Sequence, residues 1–216
     1  MEQIQLLLDA LRLQPGEEVL DAGCGTGEMT EHLAGVTGAR FTGIDTAERA
    51  IHNAQERTRG KAGVTFRRGD LNALDPSLGA FDAVVAIESL YFAKDLTATF
   101  TQLKSLLRPR GRMGLFYTQV LMPNDPVEML AAGETKVARA LKTSGLAFET
   151  HDLSESDRRF WARSQAVIAE LSAQFEAEGI GDLSQGRAGE GKAVLDLAEQ
   201  GRVRRYLYCV SCPATS

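Results

Sequence analysis

The chain is poor in the residues that would mark it for an extracellular, membrane or nucleic-acid setting. It holds three cysteines in 216 residues, Cys24, Cys209 and Cys212, which is no basis for a disulfide framework. Cys209 and Cys212 have the spacing of half a zinc site, but no second pair exists to complete it. A thioredoxin-type motif would need a helix N-terminus after its first cysteine, so neither a metal nor a redox role is expected. Lys and Arg number 24 against 29 Asp and Glu, a formal net charge of −5 with no compensating basic run, so no nucleic-acid partner is expected. The longest apolar stretch, around Ala83 to Ile87, is far too short to span a bilayer, and no membrane partner is expected. Met1 to Ala10 carries Glu2 and Asp9 where a secretory signal would need a basic head, so the expected location is cytoplasmic. Internal repeats and low-complexity tails are also lacking.

What is present is an ordinary globular composition, 44% hydrophobic and 25% charged, in a length that suits one large domain over 1–216. Leu6, Leu7, Leu8, Leu11 and Leu13 form an opening helical stripe stopped by Pro15 and Gly16. Glu18 to Asp21 then reads as a buried strand, Ala22 to Gly27 as a glycine-dense turn, and the segment through Gly35 as a helix. Strands and helices alternate from there: Ala39 to Asp45, helix Ala47 to Arg59, Val64 to Asp70, Phe81 to Glu88, helix Asp95 to Leu107, a turn at Arg108 to Gly111, and strand Arg112 to Thr118. This alternation predicts an α/β fold, a parallel sheet covered by helices on both faces. Beyond it the pattern predicts a helix over Pro126 to Thr143, a strand at Ala147 to Asp152, a long helix from Ser154 to Gly179, a glycine-punctuated stretch, a short helix, and a last strand at Val203 to Val210.

Three features converge on one nucleotide-like ligand. Gly23, Gly25 and Gly27 let backbone approach a ligand closely. Asp45 ends the second strand about twenty residues further on, where a carboxylate can accept both hydroxyls of a ribose. Asp70 ends the third strand and could accept from an adenine amino group. Taken singly each has a plain structural alternative, a tight turn or a helix N-cap; their order and spacing argue for the ligand. A dinucleotide fingerprint would place a glycine where this chain has Glu28, a negative charge near the expected phosphates. S-adenosylmethionine carries no phosphate, and its ammonium suits an acidic mouth.

The run Val19-Leu20-Asp21-Ala22-Gly23-Cys24-Gly25-Thr26-Gly27 resembles the first motif of the class I S-adenosylmethionine-dependent methyltransferases. Phe41 to Asp45, Gly69-Asp70-Leu71, Phe81 to Val85 and Leu106 to Gly111 resemble the later strands of that family in the right order, so the likeness covers about the first 118 residues. The resemblance implies a Rossmann-like, doubly wound sheet of seven strands, mostly parallel with an antiparallel last strand. It implies S-adenosyl-L-methionine as cofactor and S-adenosyl-L-homocysteine as product. Asp21, Ala22, Gly23 and Cys24 would surround the methionine end, with Gly25 near the ribose, Asp45 and Thr46 on its hydroxyls, Asp70 and Leu71 at the adenine, and the backbone of Ala86 and Ile87 at the ammonium.

The segment Ile87 to Phe92 lacks the Asn/Asp-Pro-Pro-aromatic motif of enzymes that methylate DNA bases, and it resembles that of methyltransferases acting on small molecules. Glu88, Tyr91 and Phe92 are therefore candidates for the acceptor site. Glu88 reads as an amine anchor or a base, against helix capping or cofactor contact; two aromatics in such a place are more often core than a substrate wall. His151 is the histidine best placed by sequence for base work, against a structural role. With the first strand beginning at Glu18, the long N-terminal arm of many relatives is not expected. The helical insertion over 154–202 becomes the candidate lid, Trp161 and Phe175 its acceptor contacts and the glycine-rich stretch its hinge, with a homodimer contact as the alternative. Two other readings stay open: a nicotinamide-dependent oxidoreductase, disfavoured by Glu28 and the lack of a Tyr-x-x-x-Lys pair, and a module that binds S-adenosylmethionine without catalysis.

Overall fold

The structure, a computed structural model, describes residues 2–212. Its strands are β1 (Glu18–Ala22), β2 (Arg40–Asp45), β3 (Val64–Arg68), β4 (Phe81–Ile87), β5 (Leu107–Val120), β6 (Ala147–Asp152) and β7 (Val203–Ser211). They form one sheet in the order β3-β2-β1-β4-β5-β7-β6. Neighbours from β3 to β5 pair in parallel, and β7 runs antiparallel to both β5 and β6. The order reverses direction between β1 and β4, which leaves a crevice at their carboxyl ends where ligands of open α/β sheets bind.

Consecutive residues of the central strands bury into opposite faces. Leu20 and Val84 enter one apolar cluster with Phe100, Leu103 and Met113, while Val19 and Val85 enter another with Leu7, Leu33 and Phe41. Full burial of such side chains contributes about 1.5–3 kcal/mol each, which makes β1 and β4 the anchor of the fold. The faces are covered by α1 (Glu2–Leu11), α2 (Glu28–Thr37), α3 (Glu48–Arg57), α4 (Leu96–Ser105) and α5 (Lys136–Thr143). Between β6 and β7 lie α6 (Ser154–Glu170), α7 (Ser172–Ala177) and α8 (Gly181–Glu199). No helix among the described residues is long and apolar enough to cross a membrane.

Three local expectations fail for physical reasons. The Arg108 to Gly111 turn does not precede the fifth strand but lies inside it: the β4–β5 register slips between Phe81 and Ala83, and Arg110 takes φ 65° to accommodate the extra residues. The single helix expected over Pro126 to Thr143 is a short 3-10 turn, Val127–Leu130, followed by α5. Thr135 starts α5, because its hydroxyl accepts from the Ala138 N–H at 3.0 Å and bonds to the buried Tyr208 hydroxyl at 2.6 Å. The glycine-punctuated stretch, expected to separate two helices, is itself helical from Gly181 onward. Gly186, Gly189 and Gly191 lie within the continuous helix α8, and a Cβ on Gly191 would fall 2.7 Å from a ring carbon of Trp161 and 2.2 Å from Gln165 Nε2 on α6. The absence of a side chain there sets how closely the two helices approach.

Gly189→Ala, which would point into open space, is expected to stabilise the chain by about 0.4–1 kcal/mol through backbone entropy. Gly191→Ala is expected to destabilise it by about 1–3 kcal/mol through the overpacking, despite the same gain in helix propensity. Thermal denaturation of both variants, monitored by circular dichroism, checks the opposite signs.

Candidate functional site

The ends of β1 and β2 are tied together by the glycine loop. The N–H groups of Gly23 and Cys24 both donate to the Ile44 carbonyl, at 2.8 and 2.9 Å, so the chain turns back over β2 as soon as β1 ends. Gly23 sits at φ 88°, and a Cβ on it would lie 2.2 Å from Ser89 Cβ. Ser89 is buried and its hydroxyl donates to the Ala22 carbonyl, locking the loop to the segment after β4. Gly25, at φ 54°, has no atom near the place a Cβ would occupy, so its outer side is open for a ligand. Asp45 holds this shape, since one of its oxygens accepts from the Gly25 N–H and the other from the Ala47 N–H, each at 2.9 Å.

Asp21 is almost fully buried at the end of β1. Desolvation pushes its pKa up to about 6, and the charge of Asp45 adds to the rise; a 2.6 Å hydrogen bond from the Thr30 hydroxyl opposes it. Both carboxylates of the loop thus have only uncharged hydrogen-bond donors, and neither forms an ion pair among the described residues. Asp70, just past β3, uses one oxygen to accept from both the backbone and side-chain N–H of Asn72 at 2.8 Å, which lowers its pKa and leaves the second oxygen available. Asn72 also accepts from the Lys94 N–H at 2.7 Å and donates to the Phe92 carbonyl at 3.1 Å, joining the loop after β3 to the loop after β4. Thr46 is exposed beside Asp45, Leu71 is buried behind Asp70, and Ala86 is buried near the end of β4. Burial pushes the Cys24 thiol up, away from reactivity.

Beside this loop cluster opens a cleft of about 1110 Å³ floored by the ends of β4 and β5 and walled by α1, α6 and α8. Glu88, Tyr91, Phe92 and Trp161, the residues expected at an acceptor site, line it, together with Ile87, which was expected at the cofactor; Phe175 and His151 do not. His151 lies on edge strand β6, three strands from β4, which at the usual spacing is about 14 Å across the sheet. Glu88 takes a left-handed φ of 55°, and both of its oxygens are engaged, one by Arg205 and one by the Tyr91 hydroxyl at 2.6 Å. Tyr91 in turn accepts from the Thr118 N–H at 2.8 Å and stacks on Tyr117 with ring centroids 5.0 Å apart; burial and Glu88 raise its pKa.

Arg205 on β7 is a central cleft residue that sequence reasoning missed, and no local signal marks it. Its guanidinium meets Glu88, the Thr118 hydroxyl at 3.1 Å, Gln3 Oε1 at 3.0 Å and Asp157 at 3.6 Å. Asp157 on α6 is buried, and desolvation raises its pKa against the opposing pull of Arg205. Around this knot α1 and α6 also meet directly, through Glu2 with Arg159 at 3.2 Å and Gln3 with Ser156 at 3.2 Å. Trp161 is buried beneath the Arg187 guanidinium, 4.3 Å from its ring centroid, and meets Phe160 edge to face.

A glycine loop after β1, acids at the ends of β1 and β2 and after β3, and a seven-stranded sheet of this order together define a class of α/β proteins that bind their ligand at the β1/β4 switch point. The family model of the methyltransferase domain matches residues 19–111. The chain is 34% identical over 198 residues to 27-O-demethylrifamycin SV methyltransferase of Amycolatopsis mediterranei, a match spanning 79% of this chain and 72% of that one. It therefore belongs to the class I S-adenosylmethionine-dependent methyltransferase family. Sterol 24-C-methyltransferase of Yarrowia lipolytica is 34% identical over 108 residues, 48% of this chain. The chain spans 28% of that enzyme's length, and 39% and 51% of the lengths of two Penicillium methyltransferases. Among solved structures, phosphoethanolamine N-methyltransferase 2 of Haemonchus contortus in complex with S-adenosyl-L-methionine superposes with a TM-score of 0.84 at 17% identity, covering 98% of this chain and 52% of that one.

Loss of Arg205 leaves Glu88 and the buried Asp157 without their counter-charge. Arg205→Met is expected to lower unfolding free energy by about 3–5 kcal/mol in urea denaturation, the range for breaking a buried ion pair from one side. Arg158→Met, whose partner Glu155 is exposed, is expected to cost less than about 1 kcal/mol.

Proposed function

We propose that the chain binds S-adenosylmethionine along the ends of β1 to β4 and transfers its methyl group to a nucleophilic nitrogen or oxygen of a small-molecule acceptor seated in the cleft. The observation that carries this reading is the adjacency of the two halves: Ile87 and Glu88 end β4 beside the Ser89 that packs on Gly23, and both line the cleft. Asp21, Ala22, Gly23 and Cys24 would hold the methionine end and Gly25 its neighbour the ribose, with Asp45 and Thr46 on the hydroxyls. Asp70, through its available oxygen, and Leu71 would take the adenine, and the backbone of Ala86 and Ile87 the ammonium. The residues fit the group: the open face of Gly25 admits it, and the uncompensated pair Asp21 and Asp45 suits a cation.

When bound, the cofactor supplies a methyl already activated on a sulfonium, so the protein's task is alignment. Holding an acceptor in attack geometry can lower the barrier by about 7–11 kcal/mol. Glu88, Tyr91, Phe92 and Trp161 are the proposed acceptor contacts. Glu88 positions rather than abstracts, since Arg205 and Tyr91 occupy its oxygens. The helices α6 to α8 exclude water as a lid over the cleft, supported by the contacts of α6 with α1. The acidic net charge supports a small-molecule acceptor over nucleic acid, and three unpaired thiols support a cytoplasmic setting. A homodimer through the insertion is the competing use of α6 to α8.

Calorimetric titration with S-adenosylhomocysteine and, side by side, with NADH tests the cofactor. Micromolar binding of the first alone, abolished by Asp45→Ala, is expected; binding of NADH alone overturns the reading in favour of an oxidoreductase. Binding without turnover across an acceptor panel favours the non-catalytic module. Because the ligand's ammonium prefers an ionised Asp21, affinity is expected to fall about tenfold between pH 7.5 and pH 5, as protonation crosses the raised pKa of about 6. Asp21→Asn is expected to flatten that dependence.

A further inference from the structure

We infer that the acceptor is an amphiphilic acid: a large apolar body bearing an anionic group, with Arg163 on α6 receiving the anion. The inference rests on the cofactor reading above for the word acceptor, and on the cleft alone for its chemistry. At about 1110 Å³ the cleft exceeds the roughly 300–1,000 Å³ of drug-sized sites, so a small amine or amino acid would leave most of it to water. Its walls are Ile87, Phe116 and Trp161, and two exposed aromatics, Phe92 and Phe160, border it. Exposed aromatics on a concave apolar surface are the signature of a surface that is covered in use.

The charges of the cleft select among apolar ligands. Its lining holds four carboxylates and four guanidinium groups. The carboxylates are all paired: Glu2 with Arg159 at 3.2 Å, Glu190 with Arg187 at 2.6 Å, and both Glu88 and Asp157 with Arg205. Since Arg205 serves two acids, one guanidinium is left over. Arg163 forms no ion pair or side-chain hydrogen bond among the described residues. An apolar body laid into the cleft strips water from that charge, which is unfavourable unless the ligand brings its own anion. A carboxylate, sulfonate or phosphate makes a two-pronged contact with a guanidinium that an ammonium or hydroxyl ligand cannot replace. A cationic acceptor is disfavoured by the same count, for no carboxylate is unpaired.

The test uses 8-anilinonaphthalene-1-sulfonate and its uncharged counterpart N-phenyl-1-naphthylamine, which shares the rings and lacks the sulfonate. Trp161 is the chain's one tryptophan and lines the cleft, so energy transfer from it reports binding there. With the full chain, with and without S-adenosylhomocysteine, both probes are expected to quench Trp161. Arg163→Ala is expected to weaken the sulfonate about tenfold and the uncharged probe less than about twofold; Arg163→Lys should recover part of the loss. Equal loss of both probes, an unchanged sulfonate affinity, or sulfonate binding without transfer from Trp161 would each overturn the proposal. Arg163 is exposed, so the variants should fold, and their thermal midpoints verify it. Failure of S-adenosylhomocysteine to bind in the parallel titration, with the probe pattern intact, would instead defeat the cofactor reading and leave a binding site for an acid.

Discussion

The guanidinium of Arg205 is where five separate pieces of chain are held to one another: the end of β4, the end of β5, β7 itself, α1 and α6. In water such an arrangement of one arginine and two acids would contribute little. Here the Arg205 and Asp157 side chains are only 12% and 11% exposed, so each depends on the other to offset lost hydration. The cleft takes its shape from that dependence. Glu88 keeps a left-handed backbone that a glutamate adopts only when its surroundings over-determine it, and Arg205 and Tyr91 provide that determination.

The other half of the site has the opposite electrostatic design. Neither Asp21 nor Asp45 forms an ion pair among the described residues, and the raised pKa of Asp21, set mainly by burial, corresponds to about 3 kcal/mol of folding stability forgone at neutral pH. That penalty fades as pH falls through 6 toward the unfolded value, the reverse of an ordinary ion-paired acid. The carboxylates of the cleft are thus paired within the protein, while those of the glycine loop form no ion pair among the described residues.

Much of this was legible from residues alone, and for identifiable reasons. The strands β1, β2, β4, β6 and β7 fall within a residue or two of expectation, β1 and β4 because short buried apolar runs have little alternative. The glycine loop and its acids were readable because they act through local spacing. The glycines of α8 misled because a helix interior disfavours glycine intrinsically, and only the facing Trp161 explains Gly191. Arg205 was invisible because its partners Glu88 and Gln3 stand 117 and 202 residues away, and an arginine on a strand looks like any solvated one. Asn72 and Ser89 were missed likewise, as small polar residues whose work is to fasten one loop to another.

The antiparallel strand β7 sits between β5 and β6, although both of those precede it in the chain. A ribosome-bound nascent chain therefore has β1 to β5 available to pair while the slot beside β5 is still vacant, with Met113 and Phe116 of β5 lacking their Val210 and Leu207 partners. The residue that knots the cleft arrives on that same late strand. During synthesis the glycine loop and its acids can assemble well before the cleft, and a chain stalled or cleaved before residue 203 would keep the loop and lose the cleft.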